Sequence, residues 1–238
     1  MKLLQRSVYR MLIAGIATPM AFAQMAPAPH YRPPNPDAPV VRVDGRSRGP
    51  DDAMVTLTVL APEHVGLTTK EQPSLFWYQS KAVKTDFELT ITEAKAVLPV
   101  LDLKLNSPQT DGIQRLWLGD HGIKLKEGTE YRWTVEIVID PVNPSRNVVA
   151  SGVIKRVPPP TALAKRLQGA PASDLPFIYA DEGIWYDSME ALSDLIDKQP
   201  ADKALHEERG MFFMQARLPE AARFEMKMAG EEVSSRLK

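Results

Sequence analysis

The spacing of apolar residues changes once along this chain, and the change divides it into two kinds of structure. From Met54 to about Val157 the period is two. Val55, Leu57 and Val59 alternate with Thr56 and Thr58, and Phe87, Leu89 and Ile91 with Glu88, Thr90 and Thr92. Tyr131, Trp133, Val135, Ile137 and Ile139 alternate with Arg132, Thr134 and Glu136. Leu75 with Trp77, Val97 with Leu101, Leu103 and Leu105, residues 113–118 and residues 148–157 supply four more runs. Turn signals at Gln72-Pro73, Ser107-Pro108, Asp111-Gly112, Glu127-Gly128 and Asn143-Pro144 separate them. One apolar and one polar face per strand is the mark of antiparallel sheets. Roughly seven such runs in about 100 residues predict a seven-stranded antiparallel β-sandwich over residues 52–158. After Pro158-Pro159-Pro160 the period turns helical. Leu163 and Leu167 share a face, and Trp185, Met189, Leu192 and Ile196 form a stripe at steps of four, three and four. Asp174 stands as an N-cap with Pro176 in the first turn. The fold class is α+β, strands first, with a helical-hairpin region over 159–238.

Local motifs sharpen both halves. Residues 125–135, from Leu125 through Gly128, Tyr131 and Trp133 to Val135, resemble the tyrosine corner and sixth strand of fibronectin type III domains. That resemblance implies an immunoglobulin- or fibronectin-like sandwich, with Trp77 where such domains bury a tryptophan. Leu175, Tyr179, Gly183, Trp185, Leu192 and Pro200 resemble a tetratricopeptide repeat, with Pro176 and Leu195 as departures. A shift of 34 residues carries Tyr179 onto Phe213, Ser188 onto Ala222, Leu192 onto Met226 and Leu195 onto Ala229. It also places Arg217 where the turn glycine belongs, so the second hairpin is worn. Two hairpins are too few for a free-standing solenoid. The helices are expected to lean on the sandwich, with Phe76, Tyr78, Trp185 and Met189 as the contacts between the parts.

The N-terminus carries an address. Lys2, Arg6 and Arg10 precede an uncharged apolar run over 11–23 that ends in Ala21-Phe22-Ala23. This is the pattern of a secretory signal peptide, residues 1–23, and it is too short for a membrane anchor. The chain is expected to be exported, to the periplasm or the outside. Pro27, Pro29, Pro33, Pro34, Pro36 and Pro39 mark residues 24–51 as a Pro-rich disordered tether.

Longer strings carry a family resemblance. Leu60-Ala-Pro62, the run from Thr68-Thr69 through Pro73 to Trp77-Tyr78, Tyr131-Arg-Trp133, and the run from Tyr179 through Gly183-Ile-Trp185-Tyr186-Asp187 are similar to the bacterial domain of unknown function family 928. The resemblance covers most of residues 45–215. It implies an exported bacterial protein and transfers no catalytic residue.

The chemistry legible in the chain is sparse. There is no cysteine, which excludes disulfides and thiol nucleophiles. A formal net charge of -1 argues against a nucleic-acid partner. Four histidines, His30, His64, His121 and His206, lack zinc spacing, and no phosphate-binding or nucleophile-elbow motif occurs. No cofactor or metal is expected, and no integral membrane segment after signal cleavage. Asp120-His121-Gly122 reads as a turn. Trp185, Tyr186 and Asp187, with Asp181 and Glu182, form the candidate binding surface, Tyr186 being expected to point away from the apolar stripe. The leading expectation is a non-enzymatic binding or scaffold protein whose partner is another envelope protein or a glycan. The alternative is a glycan hydrolase using carboxylates near the turn at Gly183.

Overall fold

A computed structural model describes residues 29–35, 37–46 and 55–230. The signal-like segment lies outside the described residues. Strands precede helices. One sheet has four strands in the order β1 (Gly45–Arg46), β2 (Thr56–Val59), β4 (Ser74–Gln79) and β7 (Gly112–Trp117). The other has five, in the order β3 (Gly66–Thr68), β9 (Val148–Arg156), β8 (Glu130–Ile137), β5 (Phe87–Glu93) and β6 (Leu101–Leu105). The seven expected runs are present, but the described strands number nine. β1 and β3, of two and three residues, are too short to display an alternation. Nor is the pairing wholly antiparallel: β3 runs parallel to β9, with Gly66 beside Ile154.

Alternation decides what faces inward. Phe87, Leu89 and Ile91 pair with Ile137, Val135 and Trp133, and all six are fully buried. Leu57, Val59, Leu75 and Trp77 of the other sheet belong to the same apolar core. β4 departs from alternation, because all six of its residues are buried. Its second face is covered by helical residues and long side chains: Tyr78 packs on Phe224 at 5.8 Å, and the Arg115 guanidinium lies over Phe76 at 5.4 Å. Tyr131 caps its own strand entry, its hydroxyl accepting the Lys126 N–H at 3.1 Å.

Five helices follow: α1 (Thr161–Leu167), α2 (Leu175–Asp181), α3 (Trp185–Lys198), α4 (Lys203–Gln215) and α5 (Pro219–Met228). Among the described residues no helix is long and apolar enough to cross a membrane. Asp174 occupies the N-cap position of α2, but its side chain accepts from the Ser173 hydroxyl and leaves the helix uncapped. α2 ends in a Schellman turn: Ile184 N–H donates to Tyr179 C=O and Gly183 N–H to Ala180 C=O, with Gly183 at φ +75°. α4 ends in the same way. Leu218 N–H donates to Phe213 C=O and Arg217 N–H to Met214 C=O. Arg217 adopts φ 56°, a region that a side chain penalises. Arg42 offsets this by donating to the free carbonyls of Ala216 and Arg217, at 2.9 and 2.7 Å.

The stretch expected as a loose tether is in part packed. Tyr31 is buried, with its ring 4.9 Å from that of Trp185. The Gln215 side-chain amide clamps the backbone on both sides of His30, accepting from Tyr31 N–H and donating to Pro29 C=O, each at 2.7 Å. Arg32 N–H donates to Ala180 C=O at 3.1 Å. A Cβ on Gly183 would stand 2.8 Å from the Arg32 carbonyl, so the strap needs that glycine for closeness as well as for φ. A proline-rich segment has no helix or ladder of its own to form, which leaves its backbone groups free for such side-chain partners.

Candidate functional site

The residues nominated from sequence converge on the junction between sheets and helices, where α3 touches β3, β4, α2 and α4. The Trp185 indole N–H donates to Leu60 C=O at 2.9 Å. Tyr186 does not point outward. It is fully buried, its hydroxyl accepts the Trp133 indole N–H at 2.9 Å, and the same oxygen lies 3.3 Å from Val153 C=O as a donor. Its ring presses on β3, where a Cβ on Gly66 would sit 2.6 Å from it. Adjacent helical residues diverge by about 100°, which directs Tyr186 away from the Trp185 stripe. A helix walled on several sides buries both directions.

Asp187 is also fully buried. Its carboxylate accepts from the hydroxyls of Thr68 and Thr69, and from Thr69 N–H at 3.0 Å. Burial pushes its pKa upward, against the pull of those three donors. One turn later Glu190 accepts Ser74 N–H at 3.0 Å and pairs with Lys70 at 3.2 Å and Arg115 at 3.4 Å. Met189 is buried as well. The candidate binding surface at Trp185, Tyr186 and Asp187 is therefore an internal fastening. The strings quoted above for the family resemblance all reach it, through Leu60, Thr68-Thr69, Ser74, Trp133 and the run that follows Gly183.

Asp181 and Glu182 remain at the surface, engaged by arginine. Arg166 reaches Asp181 at 2.7 Å and Glu182 at 2.8 Å, and Arg32 reaches Asp181 at 3.0 Å. His121 is exposed in a short 3-10 turn that Gly122 closes at φ 66°. His206 is buried, with Nδ1 2.7 Å from Glu225, which also accepts from Arg209 at 2.8 Å. Contact with the Glu225 carboxylate raises the His206 pKa. Among the described residues no group of three His, Asp or Glu side chains is placed to hold a metal ion.

One cleft, of about 190 Å³, lies where the strap, the 62–64 loop and the α4–α5 turn meet. Tyr31, Glu63, His64, Gln215 and Arg217 supply its polar wall, and Pro33, Val40 and Pro62 its apolar one. The Tyr31 hydroxyl is 3.0 Å from His64 Nε2. Burial lowers the His64 pKa and raises that of Tyr31, so both groups are uncharged near neutrality. Glu63 and Arg217 pair across the rim at 3.3 Å. Sequence reasoning passed over Tyr31, Arg42 and Gln215. The available signal was a lone aromatic residue within a proline-rich run.

No curated protein matches this chain. Residues 43–225 match the family model described as Domain of Unknown Function (DUF928), and those residues span the whole junction from Leu60 to Glu190. The chain belongs to that family.

Proposed function

We propose that the protein is an exported, non-enzymatic binding or scaffold protein of the bacterial envelope, with another envelope protein or a glycan as its partner. One observation carries this reading: the acids a hydrolase would draw on near Gly183 are already engaged. Asp181 and Glu182 are held by Arg32 and Arg166, and Asp187 is buried beneath Thr68 and Thr69. A general acid and base must instead converge on an open site. Export rests on the signal pattern of residues 1–23, and maturation is placed before Gln24.

The finer architecture belongs to the same proposal. The strand orders β2-β4-β7 and β3-β9-β8-β5-β6, the Tyr131 cap and the buried Trp77 support a fibronectin type III-like reading of residues 52–158. The matching Schellman turns at Gly183 and Arg217, 34 residues apart, support two tetratricopeptide-like hairpins within 159–238. Both are interaction folds, an analogy at fold level only.

The test exposes the purified mature protein to cell-wall glycan and to solubilised envelope proteins. Retention by either, without release of soluble sugar, supports the proposal. Sugar release that disappears in an Asp181→Asn, Glu182→Gln variant establishes the hydrolase instead.

A further inference from the structure

We propose that β6 is a self-recognition edge, to which a second copy of this chain adds in antiparallel register centred on Leu103. β6 ends the five-stranded sheet and, among the described residues, has β5 as its one strand neighbour. No described strand pairs with its outer backbone edge, the situation that invites another strand. Its leucines pack against the core from this edge, and exposed apolar residues precede it in the β5–β6 turn. Val97 is 94% exposed and Leu98 78%, and Leu101, Leu103 and Leu105 are half-buried.

The strand reads Leu101-Asp102-Leu103-Lys104-Leu105, antisymmetric in charge about its centre. Asp102 and Lys104 are exposed, and neither joins an ion pair with another described residue. On the β5 side Asp102 lies across from Thr90 and Lys104 across from Glu88. Two copies paired about Leu103 set Asp102 of each against Lys104 of the other, twice, and Leu101 against Leu105. Directly opposed cross-strand charges of opposite sign attract, and like charges repel. Sliding the register by two residues opposes Asp102 to Asp102, or Lys104 to Lys104. Sliding it by one turns the leucines out of line. Residues 102 and 104 share strand parity, so the centred register also satisfies the alternation of antiparallel hydrogen bonds. Pro99 and Pro108 lack N–H groups and bracket the pairing stretch. The result is an isologous two-fold contact that joins two five-stranded sheets into one. It concerns self-association and is independent of what the protein binds.

The experiment is sedimentation velocity on the mature chain over a range of concentrations, with four proteins. The unaltered chain is expected to form a concentration-dependent dimer. Asp102→Lys alone and Lys104→Asp alone are each expected to weaken it by about tenfold or more, by placing like charges opposite. The combined Asp102→Lys, Lys104→Asp variant restores opposition and is expected to recover the dimer. Both positions are exposed, and because Lys104 lies across from Glu88, the thermal melt of each variant is recorded to separate a lower stability from a lost association. An unaltered chain that stays monomeric overturns the proposal. So does a single reversal without effect, or a double reversal as weak as the single ones.

Discussion

The indole N–H of Trp133, in the middle of β8, donates to the hydroxyl of Tyr186, in the first turn of α3, across 2.9 Å of fully buried space. The bond joins the centre of the five-stranded sheet to the helices, and nothing nearby replaces it with solvent. Tyr186→Phe keeps the ring and orphans the Trp133 donor. A buried unsatisfied group costs about 1–3 kcal/mol. Chemical denaturation should show a loss in that range, with the sheet and helical signals falling together.

Two levels of this structure were open to sequence reading in different degrees. Seven strands were legible from their apolar runs, most plainly β5 and β8, which bury alternate residues. β4 escaped that logic because helices cover its outer face, which a period of two cannot register. The α3 stripe was legible too, but the burial of Tyr186 was not. That burial comes from the Gly66 notch in β3, which is distant in sequence. Ser188 and Ser193, small polar residues buried on the same helix, are the signal that it is walled on more than one side. The strap was missed because proline-rich composition carries no period. The worn second turn was sound in structure, since Arg42 and local geometry supply what a glycine would have supplied.

Arg217 offers a test of that last point. Its left-handed conformation costs a side chain roughly 1–2 kcal/mol relative to a relaxed one. Arg217→Gly relieves it, loses the exposed pair with Glu63, worth about 0–1 kcal/mol, and loosens the unfolded chain. The net expectation is a gain of up to about 1 kcal/mol in denaturation free energy. A loss would mean that the Arg217 side chain has a role in the cleft that outweighs its strain.

Tyr31 fastens the strap. Tyr31→Ala removes its ring contacts with Trp185 and His64 while leaving the two sheets untouched. Limited proteolysis should then cut the stretch from Asp37 to Val40 faster, with the main thermal transition preserved. An unchanged cutting rate would show that the Gln215 clamp alone holds the segment.

His206 should give stability a pH dependence. Contact with Glu225 raises its folded pKa above the ordinary 6.5. A raised folded value means that the charged form favours folding. Its contribution is complete below the ordinary value and fades as pH climbs through the raised one. The stability gap between the unaltered chain and His206→Gln should therefore be widest on the acid side of 6.5 and narrow above it. Denaturant titrations at a series of pH values measure the gap, and one that widens with pH contradicts the assignment.

The strands and helices form one cooperative unit, locked through residues 183–187. The burial of Trp185, Tyr186, Met189 and Leu192 contributes roughly 1.5–3 kcal/mol per side chain, and the helices forfeit much of it without the sheets. Native-state hydrogen exchange resolved by segment measures this directly. Amides of α3 and of β8 should exchange through the same global opening, with equal free energies and equal denaturant dependence. An α3 that opens well below β8, as an independently unfolding module would, contradicts it.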